Sequence, residues 1–80
     1  SVSSLALLDV YGRVARVLLD QAVEDEGQLM TGKLTQQEIA DMVGASRAMV
    51  SRIMKDLKTG GYISIDKKRI IINHELPAHW

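Results

Sequence analysis

The sequence contains no cysteine and no phenylalanine, and it has a single proline and a single tryptophan among its 80 residues. The lack of cysteine excludes disulfides and thiolate metal ligands. The remaining aromatic residues, Tyr11, Tyr62 and Trp80, do not form the cluster on which RNA bases stack. No apolar run approaches the roughly 20 residues that span a bilayer, and no secretory signal is present. We therefore expect a cytoplasmic protein that does not bind membranes.

The length indicates one small domain with a modest core. Because the chain opens with Ser1 and not Met, we expect a fragment of a longer protein. The net charge is zero, but residues 33–69 hold eight basic and four acidic residues, whereas the rest holds two basic and six acidic, so +4 balances −4. Binding responds to the local potential. The second half of the chain is thus predicted to carry a basic surface.

The first third of the sequence has the apolar spacing of an amphipathic helix over residues 5–24. Gly12 lowers helix propensity by about 1 kcal/mol and indicates a bend or a fresh start near Asp9, which would then be an N-cap. Residues 24–27 are predicted to form a solvated acidic loop, and Leu29 and Met30 a short strand.

Two shorter helices follow, and their ends are marked by capping residues. Thr35 and Glu38 form a capping box at the start of the second helix, and Gly44 is suited to its end. Ser46 caps a third helix that stops at residues 60–61. The apolar face of the third helix consists of Met49, Val50, Ile53, Met54 and Leu57.

The apolar period then changes to two, which predicts strands at residues 62–65 and 69–73 around a polar turn at residues 66–68. Between residues 36 and 57, a small residue at Ala40 and the short link between helices match the spacing of a helix-turn-helix. The predicted fold is mainly α with a small β-hairpin, a winged helix-turn-helix with a three-helix core and a wing.

The outer face of the third helix predicts DNA binding. Its residues are polar, basic or small, and none is acidic, which suits a major groove. An ordinary solvated helix face is the simpler alternative. Arg47 and Arg52 are the candidate base readers because the guanidinium fork fits guanine O6 and N7. Ser51 is placed to reach a base edge or a phosphate, and Lys55 a phosphate. The predicted recognition stripe comprises Arg47, Ala48, Ser51, Arg52 and Lys55.

Phosphate contacts are predicted at the helix starts, where hydroxyl, amide and free N–H groups meet phosphate oxygens. For Thr35 and Ser46, capping alone is an equally good explanation. The hairpin turn is also basic and would touch adjacent phosphates as a wing, although exposed basic turns also serve solubility. The candidates are Thr35, Gln37 and Ser46 at the helix starts and Lys67, Lys68 and Arg69 in the wing.

Five segments together resemble a known family. They are Leu7–Val10, Gly12–Arg13, Leu34–Ala40, Val43–Arg47 and Val50–Arg52. Over about residues 5–73 the chain resembles the C-terminal domain of the cyclic-AMP receptor protein and fumarate-nitrate regulator superfamily of bacterial transcription regulators. Its Ser-Arg-x-x-Val-x-Arg core is close to the cyclic-AMP receptor branch.

This resemblance implies an organisation and a set of partners. Residues 1–8 would be the end of a dimerisation helix and a hinge, residues 9–76 the DNA-binding domain and residues 77–80 a tail. The parent protein would be a homodimer that binds a roughly palindromic operator and contacts RNA polymerase. Its effector, cyclic AMP or another molecule, would bind a missing N-terminal domain, so no cofactor is expected in this fragment.

The resemblance also assigns roles. Arg47 and Arg52 match the family's base-reading arginines, and Thr35, Gln37 and Ser46 match phosphate-contacting positions. Two departures stand out. Ala48 occupies the place of a glutamate that accepts from cytosine N4, so the operator preference at that base pair is expected to differ or relax. The segment between residues 23 and 34, which holds the family's main polymerase-contacting loop, is shorter here.

Two other functions compete with DNA binding. A winged-helix module that binds protein would keep the fold but lose the basic stripe, which is present here. An enzyme would need a reactive constellation, and His74, Glu75 and His79 near the end of the sequence form only a weak imitation of a metal site. We therefore predict neither catalysis nor a bound metal.

Overall fold

The computed structural model describes the backbone of residues 4–76 and the side chains of residues 7–76. The predicted tail, residues 77–80, and the first three residues of the predicted hinge lie outside this range. The helices and strands are α1 (Ser4–Gln21), β1 (Val23–Asp25), β2 (Gln28–Lys33), α2 (Gln36–Val43), α3 (Arg47–Thr59), β3 (Ile63–Asp66) and β4 (Arg69–Ile72).

Helix α1 runs without interruption through Gly12, so the predicted restart at Asp9 is wrong. Asp9 lies inside the helix and pairs with Arg13 one turn later, with 2.8 Å between Oδ2 and Nη2. The cost of Gly12 is offset because the inner face of α1 buries large side chains, among them Tyr11 and Leu18. Arg13 also donates to the carbonyl of Val43 at 3.2 Å, which ties α1 to the end of α2.

The segment predicted as an acidic loop forms a β-hairpin instead. Glu24 and Asp25 belong to β1, which pairs antiparallel with β2. Glu26 and Gly27 are the two turn residues, and both have positive φ, 53° and 81°. Two-residue turns of this kind match the twist of a hairpin. Helix α1 consequently ends at Gln21, three residues before the predicted end.

The four strands form one antiparallel sheet in the order β1-β2-β4-β3, which extends the predicted hairpin on one side. The register of β2 against β4 shifts between Met30 and Lys33. At this bulge the side chain of the buried Thr31 takes the place of a backbone carbonyl as hydrogen-bond acceptor. Its hydroxyl accepts the N–H of Ile70 at 3.2 Å. The predicted winged helix-turn-helix is confirmed, with the wing formed by β3 and β4 on a larger sheet.

The caps predicted for α2 and α3 are present. Thr35 Oγ accepts the N–H of Glu38 at 3.1 Å, and the Glu38 carboxylate accepts the N–H of Thr35 at 3.0 Å. Gly44 adopts the left-handed conformation, with φ 72° and ψ 35°. Ser46 Oγ accepts the N–H of Met49 at 3.2 Å. These local signals place α2 and α3 with three residues between them.

The core lies between the three helices and the sheet. Each helix contributes side chains with no more than 1% exposure, such as Val14, Ile39 and Ile53, and β4 contributes Ile70. Each such residue stabilises the fold by about 1.5–3 kcal/mol relative to an exposed position. Ala40, on α2, is 1% exposed and belongs to the same core.

Candidate nucleic-acid interface

Helix α3 is divided lengthwise into a buried face and an exposed face. Val50, Ile53 and Leu57 have 0% exposure and pack into the core. Since successive residues of a helix are about 100° apart, the opposite side must point away from the domain. All members of the predicted recognition stripe are exposed there: Arg47, Ala48, Ser51, Arg52 and Lys55. The helix is thus held from behind while its basic face stays open.

The two arginines of the recognition stripe are free to meet a partner. Within the part of the chain that the structure describes, the side chains of Arg47 and Arg52 make no hydrogen bond or ion pair, and both ion pairs found there lie on α1. Asp56, the acidic residue of α3, lies at the edge of the exposed face next to the buried side. The stripe therefore presents positive charge that is not engaged in an ion pair within the described residues.

Lys58 belongs to the same exposed face and adds to the predicted site residues. It follows Arg47 by eleven residues, which is close to three helical turns, and its side chain is exposed. The spacing alone would have found it. Lys58 lies in the last turn of α3, where a positive charge interacts favourably with the helix dipole. It can therefore also stabilise the helix.

Four exposed polar residues of α2 and its cap form two separate hydrogen-bonded pairs, Thr35 with Glu38 and Gln37 with Asp41. Thr35 is committed to the capping box, and Gln37 Nε2 donates to Asp41 Oδ1 at 2.9 Å. The Thr35 backbone N–H, followed by its hydroxyl, lowers the pKa of Glu38 below its ordinary value. The capping role predicted for Thr35 is therefore present, as it is for Ser46. Phosphate contacts by Thr35, Gln37 and Ser46 stay predictions.

The wing turn adopts an unusual backbone for its residues. Lys67 and Lys68 both have positive φ, 52° and 68°, in a two-residue turn that closes the Asp66–Arg69 pair. The carbonyl of Lys68 accepts the N–H of Leu34 at 3.0 Å. Leu34 immediately precedes the cap of α2, so this bond fixes the basic turn against the start of the helix-turn-helix.

Arg69, unlike the two wing lysines, has a contact within the sheet. Arg69 Nη1 lies 3.9 Å from the Met30 sulfur, so its guanidinium turns along the sheet towards β2.

His74 is exposed, and His79 lies outside the described residues. Among residues 7–76, no three His, Asp or Glu side chains come together as a possible metal site. No helix in the described part is long and apolar enough to cross a membrane.

A short helix pair, an exposed basic second helix and an adjacent β-hairpin define a winged helix-turn-helix, the class of domain that places its second helix in the DNA major groove. The sequence model of the Crp-like helix-turn-helix domain matches residues 12–75, and the chain belongs to this family. It is thus a DNA-binding output domain of the kind carried by transcription regulators.

Relatives and solved structures agree with this assignment. The chain is 41% identical over 75 residues to the cAMP-activated global transcriptional regulator Vfr of Pseudomonas aeruginosa, covering 89% of this chain and 35% of the relative. It is 45% identical over 75 residues to the cAMP-activated regulator CRP of Pasteurella multocida, covering 89% of this chain and 36% of the relative. The chain therefore spans about a third of the length of these relatives.

The fold is likewise similar to solved regulators. The reduced CO-sensing protein of R. rubrum superposes with a TM-score of 0.77 at 28% identity, over 88% of this chain and 34% of that one. A CRP/FNR-family transcriptional regulator from Thermus thermophilus superposes with a TM-score of 0.69 at 30% identity, over 92% of this chain and 39% of that one.

Proposed function

We propose that this chain binds double-stranded DNA in a sequence-specific manner, as the output domain of an effector-responsive bacterial transcription regulator. Helix α3 would lie in the major groove from Arg47 to Leu57. The observation that carries the proposal is the exposed, acid-free recognition stripe, whose arginines lack partners within the described residues. A helix braced by fully buried aliphatic side chains presents this stripe at a fixed angle.

The proposed base contacts follow from side-chain chemistry. Arg47 and Arg52 each donate two hydrogen bonds to O6 and N7 of a guanine, the commonest specific contact in the major groove. Ser51 lies between them on the exposed face and reaches a base edge, and Ala48 meets a base edge by its methyl group. Lys55, two turns after Arg47, contacts the phosphate backbone.

The proposed phosphate contacts frame the stripe on both sides. Gln37, and Thr35 and Ser46 in addition to their caps, meet phosphates at the starts of the two helices. Lys67 and Lys68 meet the next phosphates from the wing. The bond between Leu34 and Lys68 supports this arrangement, because it links the wing turn to the start of α2.

The parent protein is proposed to act as a cytoplasmic homodimer. Two copies of α3 would enter successive major grooves about 34–36 Å apart on a roughly palindromic operator. The effector, cyclic AMP or another molecule, would bind outside this chain, with residues 1–8 as the end of a dimerisation helix and the hinge. Relatives named as cAMP-activated and a CO-sensing structural neighbour support an effector without fixing which one. RNA polymerase is the expected second partner.

Selection of bound duplexes from a random pool tests this function. The chain should enrich a guanine-containing site, and Arg47→Ala should lose about 1–3 kcal/mol of discrimination at one base pair. The matched control is Arg16→Ala, which removes an exposed arginine from α1. It should leave the preference intact.

Two results would contradict the proposal. If Arg47→Ala weakens selected and random DNA equally, Arg47 does not read a base. If the double variant Arg47→Ala/Arg52→Ala is retained on DNA at low salt as well as the unchanged chain, a winged-helix module that binds protein becomes the better explanation.

A further inference from the structure

A small hollow opens beside the recognition stripe where the start of α1 meets α3. Its volume is about 160 Å³, and its lining is formed by Leu7, Ala48, Met49 and Arg52. Leu7 and Met49 are half-buried and pack against the core, whereas Ala48 and Arg52 are exposed. The surface around the Ala48 methyl group is therefore apolar on one side and bounded by an arginine on the other.

The lining of this hollow offers no hydrogen-bond acceptor suited to the amino group of a base. Alanine and leucine have no polar side-chain atom, the methionine sulfur is only a weak acceptor, and arginine only donates. The amino group of cytosine or adenine placed here would lose hydration without an adequate partner. Thymine is the base that presents an apolar group in the major groove, its C5-methyl, and alanine is a side chain that packs on it.

We propose that Ala48 selects a thymine, whose C5-methyl group packs against the Ala48 Cβ beside this hollow. The inference rests on the proposed placement of α3 in the major groove. Ala48 follows Arg47 directly and precedes Arg52 by four residues, so the three side chains share one exposed face. The recognised half-site then contains one thymine close to the guanines read by the two arginines.

Thymine-to-deoxyuridine substitution tests the contact, because it removes a single methyl group and leaves every hydrogen-bonding group in place. The duplex is the site selected by the unchanged chain, and each thymine is replaced in turn. We expect one position in a half-site to lose about fourfold in affinity, the worth of one buried methyl group. The other thymines should show no change.

The variant Ala48→Gly identifies the side chain responsible. It should bind the thymine and deoxyuridine duplexes equally at the sensitive position. Because glycine weakens a helix, a thermal melt of the variant is measured alongside, and the deoxyuridine scan with the unchanged chain supplies a result that needs no variant. Ala48→Glu should shift the preference at that position towards cytosine, since glutamate accepts from cytosine N4.

The outcomes separate this inference from the proposed function. If every deoxyuridine duplex binds as well as its thymine parent while Arg47→Ala still loses its guanine preference, the methyl contact is wrong and DNA reading by α3 stands. If the sensitivity to deoxyuridine persists in a folded Ala48→Gly, another residue makes the contact and the inference is overturned. If no sequence is preferred at all, the proposed function itself fails.

Discussion

Replacing the two wing lysines by Asn-Gly should stabilise the domain and weaken its DNA binding at the same time. Lys67 and Lys68 both lie in the left-handed region, where a residue with a Cβ is disfavoured by about 1–2 kcal/mol. The other hairpin of the same sheet places Gly27 at the equivalent second position of its turn. The wing thus keeps two strained cations where Asn-Gly is the preferred pair.

The double change Lys67→Asn/Lys68→Gly should raise the free energy of unfolding by about 1 kcal/mol, because the relief of strain exceeds the added chain entropy of glycine. For a domain of this size that is a rise in Tm of roughly 4–8 °C. If both lysines neutralise phosphates, the negative slope of log K against log salt should become shallower by about 1.8, at 0.9 per phosphate.

Thermal melts and DNA titrations at several salt concentrations measure the two effects. Two controls separate them. Glu26→Asn creates Asn-Gly in the first hairpin, so it should stabilise the fold without weakening DNA binding. Lys67→Gln/Lys68→Gln keeps both Cβ atoms at positive φ, so it should lose affinity without gaining stability. A stabilised Asn-Gly wing with an unchanged salt slope would refute phosphate contact by the wing, and an unchanged Tm would refute the strain argument.

Three further changes test the elements that position the site. Thr31→Val removes the acceptor of a buried N–H and should cost about 1–3 kcal/mol in urea unfolding, whereas Thr31→Ser should cost less because it retains the hydroxyl. Gly44→Ala places a Cβ at φ 72°, where no neighbouring atom obstructs it. The loss in free energy of unfolding should therefore be about 1–2 kcal/mol, the cost of the left-handed backbone alone. Gly44→Asn should lose less when both variants are compared by thermal melts. The pKa of Glu38 is lowered in the folded state, so the Glu38 carboxylate stabilises the fold at neutral pH. This stabilisation is lost as the pH falls from the ordinary carboxylate pKa through the lowered pKa of the folded state. Glu38→Gln should flatten this part of the profile of stability against pH, and an unchanged profile would contradict the capping role.

The helix-turn-helix could be predicted from the sequence because its signals are local. A cap is formed by residues three positions apart, so Thr35, Glu38 and Ser46 identify the helix starts without knowledge of the fold. The exposed stripe of α3 follows in the same way from helical spacing. Its exposure is confirmed, whereas the roles of its residues in DNA contact stay predictions.

The errors arose where distant contacts outweigh local preference. Gly12 indicates a helix break on propensity alone, yet the burial of α1 against the core keeps the helix continuous. Strand β1 was missed because two of its three residues are acidic, and its pairing with β2 is not visible in the alternation of apolar residues. The bond from Leu34 to Lys68 joins residues far apart in the chain, so no sequence pattern reports it.

Placement of α3 in the major groove is tested most directly by dimethyl sulfate probing of the selected duplex. This reagent methylates guanine N7 in the major groove and adenine N3 in the minor groove. Bound chain should protect two guanine N7 positions in each half-site, with one protection lost in Arg47→Ala and the other in Arg52→Ala, while adenine N3 beneath α3 stays reactive. Guanine N7 positions that remain reactive in the bound duplex would contradict the account.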